Sequence, residues 1–360
     1  MGMTISTFAE VKNFQNDCNN VVIGEGVKLT DVYIKAKKLI IKSNASLTNC
    51  KLFSEGTITI GEETIVKEKS IINAFKSINI GDRTIIDRDV FIGGMQSEKS
   101  QIKVGNDCVI LYRSYLNTTC NISIGNNVGI GGYCLIFTHS AWKNALEGHP
   151  YKFADVMIKD NVWIPWHVIV FPSVTIEENV IVGGGSVVSK SLPPNVFAAG
   201  NPAKIIKEIG KISLSSDEKN RILLDILNDF CRYAKEFLML KEITGTKQPL
   251  NFDITFEKTR LIYTTNFENL LDNDVIISFR IPDDIKKTHE WIELDTLKAS
   301  TNNILAKHFL NFIKRYGIRI HHYNIASTNS VHEQQQIEER LNVILSKGNG
   351  KKYSSLTISK

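Results

Sequence analysis

The chain of 360 residues carries 43 basic and 38 acidic side chains, a formal net charge of +5, and 42% hydrophobic residues. That balance supports a sizeable buried core and gives no electrostatic basis for a nucleic acid or an anionic membrane as partner. No run approaches the roughly 18 apolar residues of a membrane-spanning helix, and the start MGMTISTFAE lacks a basic segment followed by an apolar one, so a cytoplasmic protein is expected.

Up to residue 57 the pattern is degenerate. VVIGEGVKLT and KKLIIKSNASL fit only partly the repeat of the later residues, as expected of a terminal cap. From Ile60 onward an aliphatic residue recurs at every sixth position: Ile60 and Val66; Ile80, Ile86 and Ile92; Val104 and Ile110; Ile124, Ile130 and Ile136; then Ile164, Val170, Ile176, Val182 and Val188. A period of six is neither helical nor simple strand alternation. Three short strands per coil, each turning one aliphatic residue inward, produce it, so a parallel β-helix is predicted for roughly residues 20–200. The turns recur as IGEET, IGDRT, VGNDC and IGNNV, where glycine after the inward residue is expected to supply a tight or positive-φ corner. Insertions break the period at 93–101, around 111–121 and at 138–155, and loops projecting from a rigid wall are where function tends to sit.

Six cysteines show no CxxC pair and no metal-ligand spacing; four stand at repeat positions suited to a small buried side chain, so free thiols and no metal are expected. After NPAK at 201–204 the pattern turns helical over 216–243, with Ser215 and Glu218 as a capping box. TGTKQPLN at 244–251 reads as a linker. Residues 252–346 read as an α+β module with strands in DITFEKTRLIYTT, DVIISFRI and GIRIHHY. Helices are expected near 300–316, ended by Gly317, and near 331–346, capped by Ser330 and Glu333. The domains predicted are therefore 1–209 (coil), 210–250 (connecting helix and linker) and 251–360 (accessory module with a Lys-rich tail).

The segments ISIGNNVGIGGYCLIFTHS and VMIKDNVWIPWHVIVFPSVTIEENVIVGGGSVVSKSLPPNVFAAGNPAKIIK resemble the hexapeptide-repeat acyltransferases, most of all the sugar and surface-polysaccharide O-acetyltransferases. The resemblance is dense over about a quarter of the chain, looser back to residue 20, and absent after about 210. It implies a left-handed parallel β-helix, a homotrimer with active sites between subunits, acetyl-CoA as donor and a saccharide as acceptor. His139 in FTHS stands at the family's catalytic position. A hydroxyl is too weakly acidic to attack a thioester unaided, and an imidazole can take its proton as the bond forms. His149 and His167 are the competing histidines, while Glu147 and Asp155 on the same loop are the carboxylates that could orient the base. On the donor side the resemblance carries over Trp163, then Gly184, Gly185 and Ser186 for the pantetheine arm, and Lys204 and Lys207 for the phosphates. On the acceptor side it leaves His149, Trp166 and Lys143.

The chain departs from the family in places. WIPWH puts Pro165 and Trp166 where a small residue is usual, and Ser173 stands where glycine is common. The loop carries Lys143 and Lys152 in place of an arginine. An acyl group other than acetyl therefore stays open. The alternatives are N-acetylation of a nucleotide-linked amino sugar and a trimeric scaffold without catalysis. A zinc hydratase needs three gathered histidines, which His139, His149 and His167 do not match in spacing.

Overall fold

A computed structural model describes residues 2–6, 8–210, 213–240, 242–247 and 251–322. The chain divides into two compact units, Met1–Lys211 and Ile212–Lys360.

In the first unit three short strands make each coil, for instance Thr57–Ile60, Ile65–Val66 and Ile71–Asn73, followed by Ser77–Ile80, Ile85–Ile86 and Phe91–Ile92. Strands pair in parallel with their equivalents one coil on: Ile60 with Ile80, Val66 with Ile86, Ile72 with Ile92, and later Ile124 with Ile158, Ile130 with Ile164 and Ile136 with Val170. These residues form three inward columns, each side chain at most 2% exposed. The predicted period of six is thus the spacing between columns.

Two details differ from the expectation. The degenerate N-terminal repeats are full members of the stack: Glu10–Ile23 and Lys28–Ile41 are fourteen-residue strands paired in parallel from Glu10 and Lys28 to Ile23 and Ile41. The period is lost to the eye there because the strands run on through their bends at Asn13 and Asp31, both at positive φ. The corner glycines also act differently. Positive φ falls two residues later, at Glu63, Arg83, Asp107 and Asn127. Gly61, Gly81 and Gly105 are required by close stacking, since a Cβ would lie 2.3, 2.5 and 2.4 Å from the main chain of the next coil's glycine.

None of the six cysteines, all of them among the described residues, is in a disulfide. Cys50, Cys108, Cys120 and Cys134 are buried in the coil, with Cys108 Sγ donating to the Gly125 carbonyl at 3.0 Å and Cys134 Sγ to that of Pro165 at 2.9 Å.

In the second unit helix α1 (Ser216–Glu236) starts at the predicted capping box: the Ser215 hydroxyl accepts from Glu218 N–H and Glu218 accepts from Ser215 N–H at 2.8 Å. It is more than a connector, because Leu223, Ile226, Leu227 and Phe230 share one apolar cluster with Phe252, Ile254, Tyr263, Phe309 and Phe312. The expected linker contributes the strand Thr244–Lys247, antiparallel to Phe252–Phe256. DITFEKTRLIYTT is a hairpin, Phe252–Phe256 and Thr259–Tyr263, turning at Glu257 with φ 52°. Thr259–Tyr263, Asp274–Ser278 and Glu290–Glu293 then run parallel to one another. Helices α2 (Asp283–Thr288) and α3 (Ile304–Ile313) complete the described part, and α3 continues as a 3-10 turn ended by Gly317 at φ 76°. The predicted helix at 331–346, its cap at Ser330 and Glu333, and the Lys-rich tail lie outside the described residues. Among the described residues no helix is long and apolar enough to cross a membrane.

Candidate active site

The loops at 93–100, 117–121 and 137–155 leave successive coils after the third strand, so they stack at one corner of the coil. The base of that stack is polar yet closed: Asn117, Thr118, Thr119 and Thr138 are each at most 3% exposed. Their groups bond one another across coils. Thr138 Oγ1 donates to the Asn117 carbonyl at 2.7 Å and accepts from Cys120 N–H at 2.9 Å, while Met95 N–H donates to Thr119 Oγ1 at 3.1 Å. Buried polar groups satisfied this fully make a rigid support.

His139 stands on it. The residue opens the strand His139–Ser140, which pairs antiparallel with Lys152–Phe153, so the long insertion is a closed hairpin. Its ring stacks on Phe153 at 6.0 Å between centroids, and its Nδ1 lies 3.0 Å from Asn117 Oδ1. Asn117 Oδ1 also accepts from Thr119 N–H at 3.2 Å, and its Nδ2 donates to the Tyr115 hydroxyl at 2.7 Å. A main-chain N–H can only donate, which fixes Oδ1 as the acceptor and makes His139 Nδ1 the protonated nitrogen. In the neutral ring this leaves the lone pair on Nε2.

Asn117 is the hydrogen-bond partner of His139 that sequence reasoning missed. The two carboxylates considered for that role are engaged elsewhere: Asp155 accepts from Asn121 N–H at 3.1 Å, and Glu147 accepts from Asn144 Nδ2 at 2.9 Å. The available signal was register, since Leu116 pairs with Ile136 and so sets Asn117 one coil below the start of the histidine loop. Lys143 and His149 lie on the same loop, Lys143 exposed and His149 half-buried. Trp142 and Leu146 at its tip are 99% and 98% exposed.

The residues expected on the donor side lie along a different edge. Trp163 opens the second strand of the next coil and lies flat on Gly129, where a Cβ would stand 2.4 Å from the indole. Trp166 follows at the corner after that strand, over Gly132. Gly184 and Gly185 occupy the same corner one coil further, with Gly185 N–H donating to the Trp166 carbonyl at 3.0 Å. Gly185 has φ 72° and open space beside it. Ser186 is buried and its hydroxyl accepts from Gly200 N–H at 3.0 Å, so it can offer a ligand only its main chain. Lys204 and Lys207 are exposed on Lys204–Glu208, which pairs antiparallel with Val196–Ala199. Among the described residues His139 has Asn117 as hydrogen-bond partner and Phe153 as ring partner, and neither belongs to this edge. His167, one of the two competing histidines, stacks on Tyr133 at that second corner.

No family model matches the sequence. The galactoside O-acetyltransferase of Escherichia coli (strain K12) is 32% identical over 151 residues, which are 40% of this chain and 70% of that protein. The chain belongs to the hexapeptide-repeat sugar O-acetyltransferases. This makes it an acyltransferase, and its coil the left-handed parallel β-helix of that family. Among solved structures, a maltose O-acetyltransferase from Clostridium difficile 630 shares 31% identity, covering 37% of this chain and 70% of that one at a TM-score of 0.27. A galactoside acetyltransferase in complex with coenzyme A shares 24%, covering 39% and 70%, at a TM-score of 0.25. Among the described residues no group of three or more His, Cys, Asp or Glu side chains could hold a metal ion.

Proposed function

We propose that this O-acetyltransferase moves the acetyl group of acetyl-CoA to a hydroxyl of a saccharide, a building block of a surface polysaccharide, in the cytoplasm before export. His139 is the general base. The observation that carries this reading is the Asn117–His139 pair, which leaves the Nε2 lone pair facing away from its support.

The steps follow from that atom. Nε2 takes the proton of the acceptor hydroxyl as its oxygen attacks the thioester carbonyl. Collapse of the tetrahedral adduct breaks the C–S bond, and the imidazolium returns the proton to the departing CoA sulfur. The pantetheine arm lies along the bare corner at Gly184 and Gly185 and the main chain of Ser186, beside Trp163, with Lys204 and Lys207 meeting its phosphates as mobile point charges. Lys143, His149 and Trp166 contact the acceptor.

His139 and the donor-side edge stand on different corners of one coil, which supports a homotrimer whose active sites form between subunits. The coil's outer faces are consistent with burial against other copies: Phe91, Trp163, Phe171 and Ile181 are 38–42% exposed there. The catalytic part is residues 1–209, joined through 210–250 to an accessory module at 251–360.

Thiol release from acetyl-CoA with a panel of sugars, oligosaccharides and nucleotide amino sugars tests the reading. Acceptor-dependent release that His139→Ala lowers by about 10²- to 10⁴-fold, with CoA still bound, is expected. Equal rates for the two proteins overturn the base. Release with amines alone turns the reaction into N-acetylation, and a mass in solution other than that of three chains overturns the trimer.

A further inference from the structure

The corner between the second and third strands carries a row of side chains of which the proposed chemistry uses only Trp166. The main chain stacks there coil on coil: Arg113 N–H donates to the Arg88 carbonyl at 3.4 Å, Tyr133 N–H to that of Tyr112 at 3.0 Å, and His167 N–H to that of Gly132 at 3.1 Å. The side chains form an unbroken chain of contacts over four coils. The guanidinium carbons of Arg88 and Arg113 lie 4.9 and 4.8 Å from the centre of the Tyr112 ring. Tyr112 meets Tyr133 edge-on at 5.5 Å, and the Tyr133 hydroxyl accepts from Arg113 Nη1 at 3.4 Å. Tyr133 in turn stacks on His167 at 5.3 Å and leans on Trp166 at 5.8 Å.

Arg88, Arg113, Tyr133, Trp166 and His167 are all exposed. Elsewhere on the coil, cations are neutralised from one coil to the next: Arg83 by Asp107 at 2.8 Å, Lys42 by Asp82 at 3.0 Å, Lys67 by Asp87 at 3.1 Å. Among the described residues no carboxylate lies within salt-bridge distance of Arg88 or Arg113, and Asp89 of the same corner acts on Arg113 only at longer range. Arg113, Tyr133 and His167 also hold left-handed backbone, φ 55°, 55° and 62°, where glycine or asparagine would be less strained. Gly132 is bare because a Cβ would stand 2.5 Å from the Trp166 ring, so the indole lies flat and continues the row. Four coils at about 4.8 Å spacing make a platform about 14 Å long.

We propose that this corner binds an acidic oligosaccharide lengthwise, the aromatic faces of Tyr133 and Trp166 receiving the apolar faces of sugar rings and Arg88 and Arg113 receiving carboxylates. Aromatic rings offer flat apolar area beside a polar edge, and guanidinium matches a carboxylate in a planar two-bond geometry. That the ligand is a saccharide rests on the proposed function; the acid groups follow from two exposed arginines that form no salt bridge among the described residues. The saccharide bound there therefore carries carboxylates.

Calorimetric titration of the full chain without acetyl-CoA tests this, using oligogalacturonate and a neutral malto-oligosaccharide of equal length as probes. The acidic probe is expected to bind at least about tenfold more tightly, the contribution of one charge-assisted hydrogen bond. Arg113→Ala should remove most of that difference, and Tyr133→Ala should weaken both probes, with melting temperatures of both variants unchanged. Equal binding of the two probes, no binding of either, or variants that bind like the parent overturn the platform. Because binding is read without donor, a failure of acetyl transfer leaves this result standing, and the reverse also holds.

Discussion

Asn117 Oδ1 accepts from the Nδ1 of His139 at 3.0 Å and from the main-chain N–H of Thr119 at 3.2 Å, so one amide oxygen ties the imidazole to the coil below it. The pair sets both the tautomer and the direction of Nε2. Asn117→Ala is expected to keep the fold and lower kcat between about tenfold and the 10²–10⁴ that a general base supplies. Asn117→Asp separates orientation from mere bulk: a carboxylate there favours the imidazolium, which cannot accept a proton, so the acid limb of the kcat/KM profile moves to higher pH. A profile that stays in place while the rate falls would show Asn117 to be only a packing residue.

That pair also marks the limit of what the sequence reveals. The inward columns were legible because a buried aliphatic at every sixth position is enforced by the coil itself, and Ile124, Ile130 and Ile136 are all at most 1% exposed. The histidine could be named as a candidate through its motif. Its partner was not, because Asn117 is 22 residues away and comes beneath His139 only through the pairing of Leu116 with Ile136. A search along the loop finds Glu147 and Asp155 instead. In the second unit, short strands such as Glu290–Glu293 and Lys298–Ser300 carry no period long enough to read, and the strand Thr244–Lys247 lies within a stretch whose Gly and Pro suggest a linker.

Gly129 and Trp163 test how tightly the donor edge is built. A Cβ on residue 129 would stand 2.4 Å from the Trp163 indole, and with its main chain paired the ring has to move. Gly129→Ala is expected to cost about 1–3 kcal/mol by overpacking and to raise the KM for acetyl-CoA. Adding Trp163→Ala should recover much of the lost stability without restoring the donor KM. Additive losses in denaturant melts would show that the two sites do not couple.

In the second unit Glu293 is nearly buried and accepts from Lys286 Nζ at 2.7 Å, from the Thr296 hydroxyl at 2.5 Å and from Ile281 N–H at 2.9 Å. Burial alone pushes its carboxyl up, but these donors outweigh it and hold the group below the usual carboxylate range. A depressed folded value means stability that is present above the unfolded carboxyl's range and lost as pH falls through the folded one. Glu293→Ala should therefore cost about 1–3 kcal/mol at neutral pH, chiefly by stranding Ile281 N–H, and flatten the acid side of the stability profile. An unchanged acid limb in the variant would remove Glu293 from the account.

At the alkaline end the coil's thiols contribute to the slope. Burial pushes Cys50 up to about 12 and Cys134 up to about 11. The unfolded thiols ionise near the ordinary value of about 8.5, so above that pH the unfolded chain loses protons that the folded chain retains. With fewer protons bound to the unfolded state, stability falls as pH rises, by about 1.4 kcal/mol per unit for each such thiol until its folded value is reached. Cys50→Ala and Cys134→Ala together should leave a visibly shallower decline between pH 9 and 11 in urea melts, at the cost of some stability at neutral pH. Both thiols should also resist Ellman's reagent until the coil unfolds, and rapid labelling of either in the native protein would show that the coil opens locally at its corners.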